Sequence, residues 1–368
     1  MKAKFNFYSI TEFGFYKRKK ELPEFGELKE FLDDFSGWLK LQRSIENTLV
    51  ENKSHSSKVN GNLYCEDFYE CTKTNSYLIT LWNEVSNDEG NVFAMSKSNK
   101  IGEGKISSKL GGNNEIIGLP SYYWILPDEN LLVTVKFSFS YQAAHAIESY
   151  FKSYANSSSG FINHQNDKTA IGFTNGQKRA SWFRFSFERL ANKNEREKLL
   201  KNPEKVTALV RRFSIGKTAT DERSKALRAM LDFRSKVSQL VTNGWVNKKD
   251  DQRGFTNRID KVVKNAENYR VELETPFVAE EEVLEFMVNE FDKNFDESKW
   301  EKVGFKMKNS GMIWLGNTVI KCEKDLDISR SKDQLPTAVE ITSAINKRRE
   351  AILAALDKES SEKLAKTS

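Results

Sequence analysis

Residues 122–139 read Tyr-Tyr-Trp-Ile-Leu, then Pro127-Asp128-Glu129-Asn130, then Leu-Leu-Val-Thr-Val-Lys-Phe-Ser-Phe. Two runs of aromatic, branched and aliphatic residues flank a four-residue turn signal. Proline presets its own φ for a turn, and Asp and Asn tolerate turn geometry. The stretch therefore predicts a β-hairpin with strands at 122–126 and 131–139. A hairpin pairs its strands antiparallel, so antiparallel pairing is the expectation for the sheet around it.

On the N-terminal side, residues 4–9 (KFNFYS) alternate as a strand does. Residues 27–41 place Leu28, Phe31, Leu32, Phe35, Trp38 and Leu39 at helical spacing for one buried face. A polar linker is expected at 51–61, strands at 63–69 and 76–82, and a long loop at 96–114. After the hairpin, residues 141–154 predict a helix with Ile147, Tyr150, Phe151 and Tyr154 on one side. Residues 156–167 (NSSSGFINHQND) read as a linker or exposed loop.

Further on, Phe183, Phe185 and Phe187 share one face of a strand at 182–189. A charged helix at 194–201, a strand at 206–213 and a helix at 224–241 follow. Residues 248–264 are basic and partly loop. A strand at 270–274 ends at Pro276, and a helix at 280–291 turns Val283, Phe286, Met287 and Phe291 to a core. Two strands, 302–308 and 312–322, precede a final helix at 338–356. No solenoid repeat is visible. The class is α+β, with mostly antiparallel sheets and segregated helices in a two-domain chain. Composition divides it into an α+β part at 1–155, a basic segment at 156–270, and a second α+β part at 271–368.

Aromatics form 12% of the 368 residues and charged residues 30%, with a mean hydropathy of −0.62. That combination describes a real core under a heavily charged surface. The most apolar stretch, 116–126, contains Gly118, Pro120 and Ser121, and a membrane span needs roughly 20 apolar residues. No insertion into a membrane is expected. The N-terminus lacks the apolar run of a secretory signal, and three cysteines (Cys65, Cys71, Cys322) make no disulfide framework. A reducing, cytoplasmic setting fits best.

The net charge of +6 is unevenly spread. Residues 176–270 hold 24 Lys and Arg against 11 Asp and Glu, whereas 1–175 hold 19 against 21 and 271–368 hold 15 against 20. Such a block points to an anionic partner, or to a solvated, salt-bridged face. The run Lys302-Val303-Gly304-Phe305-Lys306-Met307-Lys308 sharpens the first reading. On a strand, Val303, Phe305 and Met307 would anchor in a core while Lys302, Lys306 and Lys308 project from the other face, with Gly304 leaving room for a close approach. A rise of roughly 3.3 Å per residue sets alternate lysines at a phosphate-like spacing of about 7 Å. The alternative is a half-exposed strand whose lysines block edge pairing.

Catalytic signals are weaker. Ser214-Ile215-Gly216-Lys217-Thr218 resembles the end of a phosphate-binding loop, but Arg211 stands where its first glycine belongs. Arg211, Arg212 and Lys217 remain candidate phosphate contacts. Three histidines (His55, His145, His164) and the Cys65/Cys71 pair have no zinc spacing; His145 reads as a packed core residue. No cofactor is implied. Glu297-Ser298-Lys299 after Asp292 and Asp296 has the letters of a Mg²⁺ nuclease, at a helix end rather than on an apolar strand. No Gly-x-Ser-x-Gly occurs. Trp245, before Lys248 and Lys249, is either a base-stacking platform or core.

Several ordered features carry a family resemblance: Asn6-Phe7-Tyr8-Ser9-Ile10 followed by Lys17-Arg18-Lys19-Lys20; Thr72-Lys73-Thr74-Asn75 after an aromatic strand; Gly118-Leu119-Pro120-Ser121-Tyr122-Tyr123 before the hairpin; and Arg270-Val271-Glu272-Leu273-Glu274-Thr275-Pro276 ahead of a helix and the lysine strand. Together they resemble the RexA family of phage exclusion proteins over most of the chain, with a large extra segment near 176–265. The resemblance implies a homodimer with a fold like that of the recombination-associated protein RdgC. It also implies non-specific binding of duplex DNA in phage exclusion, with the family's basic strand at Lys306 and Lys308. The extra basic segment departs from the family and leaves open whether the same surface or a larger one holds DNA.

The expected function is therefore sequence-non-specific, non-enzymatic DNA binding through phosphate neutralisation. The expected contacts are Lys302, Lys306 and Lys308, supported by Arg211, Arg212, Lys217, Lys248, Lys249, Arg253 and Arg258. A metal-dependent nuclease effector and a module for an acidic protein partner are the alternatives.

Overall fold

The computed structural model describes residues 1–50, 61–85, 92–108, 112, 114–141, 144–164, 170–216, 268–276, 279–293, 303–309 and 311–364. These residues form three antiparallel sheets and six α-helices, an α+β architecture as the sequence implied. The chain divides into two compact units, Met1–Ala191 with Ile320–Ser368, and Asn192–Val319. These junctions do not coincide with the compositional breaks at 155/156 and 270/271.

In chain order the first unit contains β1 (Lys2–Tyr16), α1 (Leu28–Lys40), β2 (Leu63–Cys71), β3 (Ser76–Glu84), β4 (Phe93–Ser96), β5 (Glu115–Leu126), β6 (Leu131–Lys136), α2 (Ala144–Ser157), β7 (Ile162–His164), β8 (Ala170–Thr174), β9 (Arg179–Ala180) and β10 (Trp182–Arg189). The second unit contributes α3 (Lys193–Leu200), β11 (Val206–Gly216), β12 (Asn268–Pro276), α4 (Glu281–Lys293), β13 (Val303–Met307) and β14 (Gly311–Trp314). The chain returns to the first unit with β15 (Lys321–Asp325), α5 (Ala338–Asn346) and α6 (Arg349–Leu364).

The predicted hairpin is β5–β6. Asn130 takes φ 50°, and its N–H donates to the Pro127 carbonyl at 3.1 Å. Tyr122 to Leu126 and Leu131 to Val135 are buried without a break. A strand covered on both faces needs an unbroken apolar run rather than alternation, and both faces of the eight-stranded sheet are covered. On one, Phe5, Phe7, Trp124, Val133 and Val135 meet Ile341, Ile345 and Ile352 of α5 and α6. On the other, Phe183 stacks on Phe31 of α1 at 4.8 Å, and Phe185 packs near Phe151 of α2 at 5.8 Å.

β1 serves both layers because its register shifts between Ile10 and Glu12. One extra residue in a strand flips the side-chain parity. Before the bulge, Ala3, Phe5 and Phe7 point to α5 and α6; after it, Phe13 and Phe15 meet Phe31. A smaller sheet, β7–β8–β9, follows α2. The linker expected at 156–167 is thus partly the end of α2 and partly β7.

In the second unit the sheet order is β12–β11–β13–β14. Leu199 of α3 and Leu284, Met287, Val288 and Phe291 of α4 cover one face, against Leu209, Val303, Phe305, Met307 and Ile313. Phe286, expected in that core, is 43% exposed. The single strand expected at 312–322 is instead β14, a 3₁₀ turn at Leu315–Asn317, and β15. Gly316-Asn317 is a turn signal inside an apolar run. The final helix is likewise two helices, with Lys347 and Arg348 in a turn between them. Residues 51–60 of the linker expected at 51–61, the helix at 224–241 and the basic stretch at 248–264 lie outside the described residues.

Candidate nucleic-acid interface

Alternation along β13 places Val303, Phe305 and Met307 in the core, at 0%, 0% and 5% exposure. Lys306 points the other way, paired in register with Ala208 of β11 and Met312 of β14. Its ammonium donates to both Glu274 oxygens of β12, at 2.8 and 3.0 Å, with each side chain about half exposed. An exposed pair of this kind contributes about 0–1 kcal/mol, so the ammonium can exchange partners at little cost.

Two expectations for this strand are revised. The room left by Gly304 is filled from within the sheet, because a Cβ there would meet Trp314 Cε3 at 2.7 Å. The lysine row also stops at Lys306. Lys308 lies in the turn between β13 and β14, where Asn309 (φ 64°) and Gly311 (φ 79°) take left-handed conformations, and its N–H donates to the Lys205 carbonyl at 2.6 Å.

Arg211 pairs in register with Val303, three residues from Ala208 along β11. Odd separation along a strand means opposite faces, so Arg211 and Lys306 do not share a surface of the sheet. Arg212 stands opposite Glu272 in the ladder. Ser214, Ile215 and Gly216 are ladder residues opposite Arg270, Tyr269 and Asn268, which is extended pairing and not a phosphate-cradling loop. Lys302, Lys217, Lys248, Lys249, Arg253 and Arg258 lie outside the described residues, as do Trp245 and Glu297-Ser298-Lys299.

Among the described residues no group of three His, Cys, Asp or Glu side chains is placed to hold a metal ion. His145 packs 5.9 Å from the Phe187 ring and is hydrogen-bonded through Nδ1 to Glu148 at 2.8 Å. Cys65, Cys71 and Cys322 are free thiols. No helix among the described residues is long and apolar enough to cross a membrane.

Composition and motif reading passed over Glu66 and Asp67. The register of β2 shifts between Cys65 and Asp67, and all three residues are buried. Glu66 Oε1 accepts from Gly104 N–H at 2.9 Å, and Asp67 Oδ2 accepts from Ala338 N–H at the start of α5 at 2.6 Å. Burial, aided by the neighbouring Asp67 charge, pushes the Glu66 carboxyl up to about 8. The only sequence signal is the adjacent pair Glu66-Asp67 between Tyr64 and Phe68 of the strand. Nothing among protein-family models, curated proteins or solved structures matched this chain.

Proposed function

We propose that this chain is a sequence-non-specific, non-enzymatic DNA-binding protein that acts as a homodimer in phage exclusion. The observation that carries the reading is the cation excess at 176–270, 24 against 11. Lysines and arginines in such a block neutralise phosphates and release counterions, without reading bases. Lys302, Lys306, Lys308, Arg211, Arg212, Lys217, Lys248, Lys249, Arg253 and Arg258 are the proposed contacts, drawn from more than one face. Six to ten of them acting together give a slope of log K against log salt of about −5 to −9.

Gel shifts with unrelated duplexes over a salt series measure this slope. Equal affinity across sequences with a steep slope is the expected result, and light scattering should give about twice 42.4 kDa. Plasmid incubated with the protein and Mg²⁺ should stay intact. Absence of binding to any duplex at low salt would overturn the reading, and cleavage would replace it with the nuclease alternative.

A further inference from the structure

Several described cations face an acid. Lys198 meets Glu195, Lys201 meets Glu197, Arg184 meets Glu12, Arg349 meets Glu129 and Lys306 meets Glu274. One end of the first unit gathers cations that do not. The chain turns after β1 through Lys17-Arg18-Lys19-Lys20, all exposed. It turns again between β8 and β9 through residues 175–178, followed by exposed Arg179.

Both turns are held rigidly and lie against each other. The first is closed at its base by Phe15 and Phe25, which exchange backbone contacts and stack at 5.0 Å. In the second, Asn175 Oδ1 accepts from the N–H groups of Gln177 and Lys178 at 3.2 and 2.8 Å, and Thr174 Oγ1 accepts from Gly176 N–H at 3.0 Å. Lys178 Nζ then donates to the Glu24 carbonyl at 2.9 Å, tying the second turn to the first. Lys17 is paired with Glu24 at 3.2 Å. Arg18, Lys19, Lys20 and Arg179 make no ion pair or side-chain hydrogen bond among the described residues.

We propose that these two joined turns form a second DNA contact, in which Arg18, Lys19, Lys20 and Arg179 bind backbone phosphates. The choice of DNA rests on the functional reading above; the placement of the contact rests on the geometry. With Glu24 engaged by Lys17, the two turns still hold Arg18, Lys19, Lys20 and Arg179 against Glu21, and such an excess of one charge sign is relieved by an anion. Because the turns are already ordered, little backbone entropy is lost on binding. An anionic membrane is the less favoured occupant. Leu22, 79% exposed, is the apolar side chain the first turn offers, and stable membrane anchoring takes more than one weak apolar insertion beside basic charge.

The test compares wild type with a variant carrying Arg18→Gln, Lys19→Asn, Lys20→Gln and Arg179→Gln. Fluorescence anisotropy on a labelled duplex over a salt series is the readout, with Lys2→Gln/Lys152→Gln, two acid-paired lysines outside 176–270, as the control. The variant should keep the wild-type thermal midpoint, bind about tenfold or more weakly, and show a salt slope shallower by about three to four. The control should bind like wild type. A wild-type protein that binds no DNA overturns both this proposal and the functional reading. Wild-type binding with an unchanged variant slope overturns the proposal alone. Equal DNA binding by both proteins, with the variant losing affinity only for phosphatidylserine vesicles, assigns the turns to a membrane surface and also overturns it.

Discussion

Glu66 shows how one inserted residue changes chemistry. The irregularity in β2 turns its carboxyl inward, beside Asp67, where it holds the Gly104 N–H. Its ordinary value of 4.5 rises to about 8, chiefly because burial penalises the charge. The folded state therefore keeps a proton that the unfolded chain releases. The contribution to stability is complete below about 4.5 and is lost as pH rises through 8. Each tenfold gain in proton affinity is worth about 1.4 kcal/mol, which puts the upper bound at about 5 kcal/mol. Asp67, also raised by burial, acts in the same direction. Thermal unfolding across this pH window should show the midpoint falling as pH rises. Glu66→Gln keeps an acceptor for Gly104 and cannot ionise, so its curve should be flatter. Wild-type and variant curves that run parallel would assign the pH dependence to other groups.

At the scale of an element, β13 separates fold from proposed function. Phe305 is fully buried against Leu284, Met287 and Phe291. Phe305→Ala should cost about 3–5 kcal/mol through lost burial and the cavity left behind. Lys306 and Lys308 lie on the outside, one in the strand and one in the turn. Lys306→Ala/Lys308→Ala forfeits the exposed Lys306–Glu274 pair and should change stability by less than about 1 kcal/mol. If both lysines contact phosphate, the salt slope of DNA binding falls by about two, alike for all sequences. Urea denaturation and anisotropy on the same preparations measure the two effects. An unchanged slope would leave Lys306 as a solvated side chain on an inner strand, paired on both sides by β11 and β14.

At the scale of the molecule, the second unit interrupts a strand. β10 ends with Arg189 opposite Tyr8, and β15 begins with Lys321 opposite Asn6, both along the same edge of β1. Between them, Ile320 N–H donates to the Leu190 carbonyl at 2.8 Å, and Leu190 N–H donates to the Phe7 carbonyl at 2.9 Å. The two strands run in the same direction, so the chain leaves and re-enters the sheet at nearly one point. Replacing 192–319 with two to four glycines should therefore close a loop at small entropic cost. The shortened protein is expected to keep its near-ultraviolet circular dichroism and a cooperative thermal transition. A molten, non-cooperative product would show that the first unit depends on the insertion for folding.

Local pattern determined much of the inventory. The Pro127–Asn130 turn, the helical spacing in α1 and the alternation at 182–189 act through backbone preference and side-chain period, which are written in neighbouring residues. The tertiary structure decided what those elements meet. The continuity of β10 with β15 depends on a hydrogen bond between Leu190 and Ile320, too far apart for any period to reveal. The Lys306–Glu274 pair and the Trp314 ring over Gly304 follow from strand register, which local sequence does not specify. The bulge near Ile10 turns one strand's phenylalanines toward two layers, although the letters alternate with no visible break. The basic run at Lys17–Lys20 is plain in the sequence, yet its union with Arg179 needed the Lys178–Glu24 bond between two distant turns. A residue's partners are set by where the rest of the chain packs, and that depends on the summed burial of the whole core rather than on any single stretch.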